Sequence, residues 1–427
     1  MRRVRAADMT DPMALVPPDL LERVVRGWRD MSTRLVQMGR DRPEGDRGVF
    51  VNPAAERGST VLFSSLEAMD RAGHGRYGPE LIYGAMGSPI QHRLEAVIAE
   101  IEGGTHAQVV PSGLAACTLP LLAYLQAGDH CLLSDSVYGP TRRFADRVLR
   151  RFGVDVTYFP PMATETELQA LVRPDTRLVF AESPGSHSFE VQDIPMLGRL
   201  AARAGARLVV DNTWGIGLFN PFAHGAHVSV QALTKYAAGH SDTIIGAVTV
   251  ASDADWRPLR DTAIQAGQTA GPDDCWLTLR GLRTMGARLE RQAATALGLA
   301  LWLQSRPEVH RVLHPALPSC PGHEYWARDF SGASSLFGVV FDAGFTTADM
   351  TAMIDGLQHF GIGASWGGYE SLVLPTTGGI SRSCLSVTGA GPACRLHVGL
   401  EAGGLLVDDL ARGLDGMSAA RAGRGTD

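Results

Sequence analysis

The chain has 427 residues, a formal net charge of −6 at pH 7 and no stripe of basic residues. This balance argues against nucleic acid as a partner, because nucleic-acid-binding domains concentrate Lys and Arg on one face. With 45% hydrophobic and 20% charged residues, the composition is that of a soluble globular protein. The 39 Lys and Arg residues include a single lysine, Lys235, which raises the question whether that lysine does chemistry.

We expect a cytoplasmic protein with no membrane partner. The N-terminal region lacks the continuous apolar core of a secretory signal. The uncharged stretch 103–128 is interrupted by prolines and reads as strand, turn and helix rather than as a membrane span. None of the six cysteines shows CxxC spacing, so we predict free thiols and no metal site.

Residues 1–69 are predicted to form an N-terminal arm with one early helix. From residue 70 to 290, apolar runs rich in Val and Ile alternate with amphipathic segments. The predicted strands lie in AQVVPS, HCLLSD, VDVTYF, RLVFAE, ARLVVDN, VSVQA and IIGAVTVA. Strands that are apolar on both faces and separated by helices indicate an α/β domain with a mostly parallel seven-stranded sheet between helices. Ligands bind such folds at the carboxyl ends of the strands.

A long helix is predicted from Cys275 to Arg306, across the boundary to a smaller C-terminal α+β domain over residues 291–427. Strands of this domain are expected in SSLFGVVF and CRLHVGL, and a helix in TADMTAMIDGLQHF. The last residues, MSAARAGRGTD, are expected to be frayed.

Lys235 follows the predicted strand VSVQA and begins a loop of small and polar residues. A lysine at a strand end, inside the crevice of a sheet, can form a Schiff base if its pKa is lowered by burial or by cationic neighbours. A surface lysine that survived codon bias is the alternative. Local sequence alone leaves both open.

Other residues at predicted strand ends could serve the same site. Asp211 could hold a cationic ring nitrogen or merely cap a turn. Ser112 and Gly113 open a helix whose free N–H groups attract an anion, although any strand-to-helix turn looks similar. Tyr138 could stack on a planar ring or pack on the sheet.

Two further features belong to the predicted second domain. Arg395, in CRLHVGL, could clamp a carboxylate with its guanidinium or could be one arginine among many. The segment SWGGYES, residues 365–371, could be a substrate loop or a tight turn. Each signal is weak alone. Their order along the chain, with a phosphate cradle, an aromatic, an acid, a lysine and then an arginine, is that of a pyridoxal phosphate (PLP) site.

Longer motifs make the comparison specific. They are YGAMGSP, LEAVIAEIEGGTHAQVVPSGLAA, GDHCLLSDSVYGPTRRF, ESPGSHSFEVQDIP, VVDNTWGIGLF, SVQALTKYAAGHSD, RGLRTMGARL, HPALPSCPGHEYWARDFSGASSLF, SWGGYESL and RLHVGLE. Through them the chain resembles the Cys/Met-metabolism family of PLP-dependent enzymes of fold type I, and within it the cystathionine β-lyase branch. The resemblance runs from about Thr33 to Asp409. It implies a homo-oligomer, at least a dimer and usually a tetramer, that acts on a small amino acid.

The resemblance also implies roles toward the cofactor. Lys235 would carry it as a Schiff base and then move the substrate Cα proton. Asp211 would pair with the pyridinium nitrogen, and Tyr138 would stack on the ring. The implied phosphate ligands are Ser112, Gly113, Leu114 and Thr234, together with Tyr83 from a neighbouring subunit.

Toward the substrate, the resemblance implies that Arg395 grips the α-carboxylate with help from Ser365 and Trp366. Ser186, in ESPGS, matches the β-acting branch, since the γ-acting branch commonly has Asn there. These roles imply a carbon–sulfur lyase that releases a thiol, pyruvate and ammonia from a cystathionine-like amino acid by α,β-elimination.

The chain departs from the family pattern in two places. The motif Tyr-Gly-Arg, whose Arg also binds the phosphate, is YGA here, with Ala85 at the third position. Loss of such a charge-assisted bond costs ~1.5–3 kcal/mol unless another arginine substitutes, and Arg76 and Arg93 are candidates. Ala232 stands where many relatives have Ser three residues before the lysine, a change also found among β-lyases.

Two alternatives to the β-lyase stay open. One is γ-elimination or γ-replacement on an activated homoserine or an S-adenosylmethionine-type substrate, which the space at Ala85 could admit. The other is a PLP-binding regulatory protein with little turnover, although the complete set of Lys235, Asp211 and Arg395 disfavours it.

Overall fold

A computed structural model describes residues 11–43, 45–378, 380–384 and 391–424. Its α-helices are α1 (Pro18–Gln37), α2 (Leu66–His74), α3 (Pro89–Glu102), α4 (Gly113–Tyr124), α5 (Gly139–Phe144), α6 (Glu165–Gln169), α7 (Ile194–Ala204), α8 (Asp253–Gln265), α9 (Pro272–Gln304), α10 (His323–Asp329), α11 (Thr347–Asp355) and α12 (Gly403–Arg424). Its strands are β1 (His106–Val110), β2 (His130–Ser134), β3 (Asp155–Phe159), β4 (Thr176–Glu182), β5 (Arg207–Asp211), β6 (Val228–Gln231), β7 (Gly246–Val250), β8 (Val309–Leu313), β9 (Leu336–Phe341), β10 (Gly361–Ile362), β11 (Leu372–Pro375) and β12 (Ala393–His397).

The larger sheet contains the seven predicted strands in the order β1-β7-β6-β5-β4-β2-β3. Strand β7 runs antiparallel to both of its neighbours, and the other pairs are parallel. The predicted mostly parallel seven-stranded sheet is therefore confirmed. The carboxyl ends of β1, β2, β4, β5 and β6 meet at one edge of this sheet.

Burial explains why the strand sequences are continuous apolar runs. Strands β2, β6 and β7 are buried along their whole length, because helices cover both faces of the sheet. At the shared edge, Val110 pairs with Gly246. A side chain on Gly246 would lie 2.4 Å from the Ser112 carbonyl oxygen, so the turn after β1 can pack directly on β7.

The smaller sheet has five strands in the order β10-β11-β12-β9-β8. The predicted strands SSLFGVVF and CRLHVGL are its members β9 and β12, which pair antiparallel with Arg395 opposite Gly338. Strands β8, β10 and β11 were not predicted. The smaller α+β unit is confirmed, and its sheet is the one that bears Arg395.

Helices α1 and α9 pack against each other, and α9 also contacts β8 and β9 of the smaller sheet. Helix α1 buries Trp28 completely, and its indole N–H donates to the Ala333 carbonyl 2.8 Å away. A side chain on Gly286 of α9 would lie 2.3 Å from Ser32 Oγ, so the two helices approach closely. The predicted domain boundary at residue 290 falls inside α9, and the division into residues 1–69, 70–290 and 291–427 remains a prediction.

The C-terminal segment differs from the expectation. Helix α12 continues to Arg424, whereas MSAARAGRGTD was expected to be frayed. Met417 is fully buried, and the Arg421 guanidinium stacks 4.8 Å from the centre of the Phe345 ring. These tertiary contacts hold a segment whose own sequence suggests disorder, although residues 425–427 lie outside the described residues.

The six cysteines are free thiols, and all but Cys384 are buried. Among the described helices, none is both long and apolar enough to cross a membrane. Within the same residues, no group of His, Cys, Asp or Glu side chains could hold a metal ion.

We predict that Trp28→Ala lowers the free energy of unfolding by about 3–5 kcal/mol, because it leaves a cavity between α1 and α9 and an unpaired Ala333 carbonyl. Denaturant unfolding of the apoprotein measures the loss. Val36→Ala, on the exposed side of the same helix, is the matched control and should change stability by less than about 0.5 kcal/mol. Equal effects of the two substitutions would contradict the packing described here.

Candidate active site

The site is built where strand ends of the larger sheet meet. The turn after β1 brings Ser112, and β2 leads to Tyr138 at the start of α5. Strands β4 and β5 end at Glu182 and Asp211, and β6 leads to Lys235 four residues beyond its end. The sheet topology thus brings together residues that are spread over more than a hundred positions of the sequence.

The first turn of α4 has the shape of an anion cradle. Ser112 caps the helix, with its Oγ accepting from the Ala115 N–H at 3.1 Å. A side chain on Gly113 would lie 2.5 Å from the Ala232 Cβ, so only glycine fits between the helix start and the segment before the lysine. Leu114 follows and is partly exposed. The backbone N–H groups of a first helical turn have no partner within the helix and attract a phosphate.

Thr234 has its hydroxyl engaged elsewhere. Its Oγ1 donates to the Ile245 carbonyl at 3.1 Å and accepts from the Ile245 N–H at 2.9 Å. These bonds tie the loop that holds the lysine to the segment entering β7. A phosphate contact from this hydroxyl, as predicted, requires the O–H to turn away from Ile245, so that role remains a prediction.

Asp211 is a buried carboxylate with defined donors. Its Oδ1 accepts from the Thr213 N–H at 3.0 Å and from the Thr213 hydroxyl at 2.6 Å, while the Cys117 thiol lies 3.4 Å from Oδ2. Burial raises the pKa of Asp211, and the bonds from Thr213 oppose that rise. A cationic ring nitrogen placed here would restore the ionised form.

Lys235 lies at the junction of the two sheets. Its Nζ donates to Ser365 Oγ at 2.6 Å and lies 5.3 Å from the centre of the Trp366 ring. Burial, followed by the nearby charge of Arg395, lowers the pKa of Lys235 to about 8, and Asp211 opposes the shift. At pH 7 about one tenth of an amine with this pKa is neutral and hence nucleophilic, far more than for a lysine with the ordinary pKa of 10.5.

Arg395 and the 365–371 loop complete this side of the site. The Arg395 guanidinium donates to the Ser365 carbonyl at 2.9 Å, and its burial lowers the pKa to about 10. The loop lies directly on the lysine: a side chain on Gly367 would meet the Lys235 Cα at 2.9 Å, and Gly367 has a φ of +94°. Ser365 also adopts a left-handed φ, of +74°.

Tyr138 is 41% exposed, which leaves its ring accessible. Its backbone N–H donates to Glu182 Oε2 at 2.5 Å, and burial raises the pKa of its phenol. The backbone N–H of Ser186 donates to the Ser136 carbonyl at 2.8 Å. The Ser186 hydroxyl is near enough to Glu182 to oppose the rise of that carboxyl group's pKa, so Glu182 lies between Tyr138 and Ser186.

Tyr83 lies at the start of a single 3₁₀ turn and is 50% exposed. The candidate replacements for the missing arginine have partners elsewhere. Arg93 forms an ion pair with Asp41 at 2.7 Å, and Arg76 lies 3.6 Å from Asp261. In the described chain both candidate arginines are thus engaged by carboxylates, and neither is held ready for a phosphate.

Sequence reasoning missed several members of this site. Thr213 orients Asp211, and the pattern Asp-Asn-Thr after a strand is a signal for such a turn. Glu182 has no distinct local signal, because it becomes a neighbour of Asp211 only through the pairing of β4 with β5. His187, beside Ser186, has a φ of +65°, and burial together with Arg395 lowers its pKa to about 4.

The comparisons with known proteins agree with this geometry. The family of Cys/Met metabolism PLP-dependent enzymes matches residues 32–415. A putative cystathionine beta-lyase of Rhizobium johnstonii is 43% identical over 91% of this chain and 97% of its own length. Cystathionine beta-lyase of Bordetella avium is 44% identical over 86% of this chain and 92% of its own length. The crystal structure of cystathionine gamma synthase from Xanthomonas oryzae pv. oryzae superimposes with a TM-score of 0.82 at 28% identity, covering 91% of this chain and 98% of that one.

The fold and the lysine-centred site define a fold type I PLP-dependent enzyme. The chain belongs to the Cys/Met metabolism family of these enzymes. The residues present fit the cofactor: the start of α4 suits its phosphate, the buried Asp211 suits its ring nitrogen, and Lys235 suits its aldehyde.

We predict that PLP attaches to the apoprotein at a rate that rises with pH around a midpoint of about 8, because the neutral amine of Lys235 is the nucleophile. The rate of attachment is measured from the growth of the visible absorption band of the bound cofactor. The N-terminal amine, the other primary amine of the chain, titrates near 8 as well. Lys235→Ala measures that background and should lose all of the band above it. A band as strong as that of wild type in this variant would refute the assignment.

Proposed function

We propose that the chain is a carbon–sulfur lyase that acts on a cystathionine-like amino acid by α,β-elimination. The observation that carries the proposal is the position of the Lys235 amine, 2.6 Å from Ser365 Oγ and beside the Arg395 guanidinium. A substrate whose α-carboxylate binds Arg395 presents its Cα within reach of this base. The cystathionine beta-lyases that share 43–44% identity support the choice of substrate.

The side chains would divide the work as follows. Arg395 binds the α-carboxylate, and the Ser365 carbonyl fixes the orientation of the guanidinium. Trp366 covers the amine and excludes water from it. Tyr138 stacks on the cofactor ring, Asp211 holds the ring nitrogen, and the cradle of Ser112, Gly113 and Leu114 holds the phosphate. Ser186 approaches the substrate from the opposite wall.

The bound cofactor supplies an electron sink for the pair left behind when the Cα–H bond breaks. Lys235 accepts that proton at Nζ, a form of general base catalysis worth about 10²–10⁴-fold. The Cβ–S bond then breaks with its electron pair on sulfur, and a proton completes the thiol. Water hydrolyses the remaining three-carbon fragment to pyruvate and ammonia.

A second function, γ-elimination or γ-replacement, is favoured by one specific feature. Ala85 removes a long cation from the motif that begins at Tyr83, which widens the space for a bulkier or positively charged substrate. The similarity to a cystathionine gamma synthase structure accommodates this chemistry on the same fold. In that case Lys235 removes a second proton, from Cβ, and the leaving group departs from Cγ.

Product analysis separates these functions. We expect the holoenzyme to convert cystathionine to homocysteine, pyruvate and ammonia in equal amounts, and to leave an O-acylhomoserine and S-adenosylmethionine unchanged. Lys235→Ala, measured in parallel, should form none of these products. Formation of 2-oxobutyrate or of a new Cγ adduct from any of the three substrates would overturn the β-lyase proposal in favour of γ chemistry. A spectral change without product would instead indicate a binding protein.

We also propose a homo-oligomer, at least a dimer and in its full form a tetramer, in which Tyr83 reaches the phosphate of a neighbouring subunit. Exposed apolar side chains in the surrounding segment support this, because they suit an interface better than water. Phe50, Leu62 and Leu66 are 90%, 91% and 82% exposed. A cytoplasmic location is proposed on the free thiols of the chain.

A shared site predicts complementation between inactive variants. Lys235→Ala and Tyr83→Ala should each be inactive or nearly so, whereas refolding them together should restore about a quarter of the wild-type activity, because half of the dimers are mixed and each mixed dimer has one intact site. The measurement is the rate of pyruvate release after co-refolding. A mixture no more active than the two variants measured separately would show that each site belongs to a single chain.

A further inference from the structure

Two carboxyl groups lie side by side beneath the proposed cofactor site. Glu182 and Asp211 are the last residues of β4 and β5, and they are direct partners in the parallel register. Residues in register on neighbouring strands, ~4.8 Å apart, project to the same face of the sheet. Two carboxyl groups this close, in a buried place, do not both ionise readily.

The groups around the pair distinguish its two members. Asp211 receives two hydrogen bonds from Thr213 and faces the positive charge of Lys235. Both features stabilise an ionised carboxylate. The Cys117 thiol of α4 completes its surroundings at 3.4 Å.

Glu182 is placed differently. The charged groups that face it are Asp211, which repels a second negative charge, and Arg382, which attracts one and is itself paired with Glu190 at 3.4 Å. Burial and Asp211 together raise the pKa of Glu182 well above its ordinary value. Asp211 has two donors from Thr213 where Glu182 has the one N–H of Tyr138, and this difference favours Glu182 as the holder of the proton.

The Glu182 side chain also joins two walls of the site. Its Oε2 accepts the backbone N–H of Tyr138 at 2.5 Å, and the Ser186 hydroxyl is close enough to lower the pKa of the carboxyl group. The backbone carbonyl of Glu182 accepts a hydrogen bond from the Gln192 side chain at 2.7 Å, and this bond anchors the turn that follows β4. A displacement of this one side chain would move both the ring-stacking tyrosine and the serine on the substrate side.

We propose that Glu182 is a positioning residue that holds the proton of the Glu182–Asp211 pair, so that Asp211 alone presents negative charge to the cofactor's ring nitrogen while Glu182 fixes Tyr138 and Ser186. The inference rests on the placement of the ring at Asp211 proposed above. It is independent of the substrate and of the choice between β and γ chemistry.

Glu182→Gln tests the protonation state, because glutamine imitates a neutral carboxyl group. In the holoenzyme, the pH at which the cofactor's visible band changes form should stay within about 0.2 units of wild type, and kcat should change less than about twofold. Loss of an ionised carboxylate would instead move that pH downward by about one unit, which would overturn the proposal. Glu95→Gln is the matched control, since Glu95 is a buried glutamate that accepts the Val109 N–H at 3.1 Å outside the site.

Glu182→Leu tests the positioning. Removal of the acceptor for the Tyr138 N–H should reduce the circular dichroism of the cofactor's visible band and lower kcat about tenfold, with rescue by glutamine at the same position. If the leucine variant keeps wild-type dichroism and kcat, the positioning role is wrong. If it fails to fold, Glu182→Asp, which shortens the side chain by one methylene, tests the same readouts and should lose them in part; an unchanged aspartate variant would likewise overturn the role.

Asp211→Asn, measured in parallel, distinguishes an error in the placement of the ring nitrogen at Asp211 from an error in the protonation state of Glu182. An unchanged visible band in this variant would mean that the ring nitrogen is not at Asp211, so that the proposed placement fails. A changed band in Asp211→Asn together with a shifted titration in Glu182→Gln would mean that the placement holds and that Glu182 is ionised. Infrared difference spectroscopy of wild type against Glu182→Gln adds a direct test, since the carboxylic acid stretch of a protonated Glu182 should be absent from the variant.

Discussion

The site depends on the burial of the Lys235 amine next to the positively charged Arg395 guanidinium. Burial and the neighbouring Arg395 both disfavour the charged form of Lys235, while Asp211 favours it, and the first two effects prevail. The same burial acts on the partners, since it lowers the pKa of Arg395 and raises that of Asp211. The fold therefore shifts the pKa values of Lys235, Arg395 and Asp211 away from their values in water. The packing of the sheet and its helices provides the stability that offsets this cost.

Much of the fold could be predicted from the sequence because the buried strands of a parallel sheet leave continuous apolar runs. The seven strands of the larger sheet were recognised in this way. Short strands such as Gly361–Ile362 leave no such run, and their pairing depends on contacts with distant parts of the chain. The end of α12 escaped prediction for a related reason, since Met417 and Arg421 are held by tertiary contacts rather than by local propensity.

The sequence allowed prediction of which site residues follow the strands of the larger sheet, but not of which side chains they contact. Lys235, Asp211 and Tyr138 each follow an apolar run, and this placed them at one edge of the sheet. Their partners could not be identified so directly, because strand register decides which carboxyl group lies beside which. Glu182 becomes a neighbour of Asp211 only through the pairing of β4 with β5, and Arg395 meets Ser365 only through the smaller sheet.

The close approach of Gly367 to the Lys235 backbone limits how this enzyme can acquire new substrates. A side chain cannot be introduced at Gly367 without displacing the Lys235 backbone, because its Cβ would lie 2.9 Å from the Lys235 Cα. New specificity at this loop can instead come from the side chains that flank the contact, at Trp366 and Tyr369. For protein engineering, Gly367 should be kept, and the side chains on either side of it are the positions to substitute.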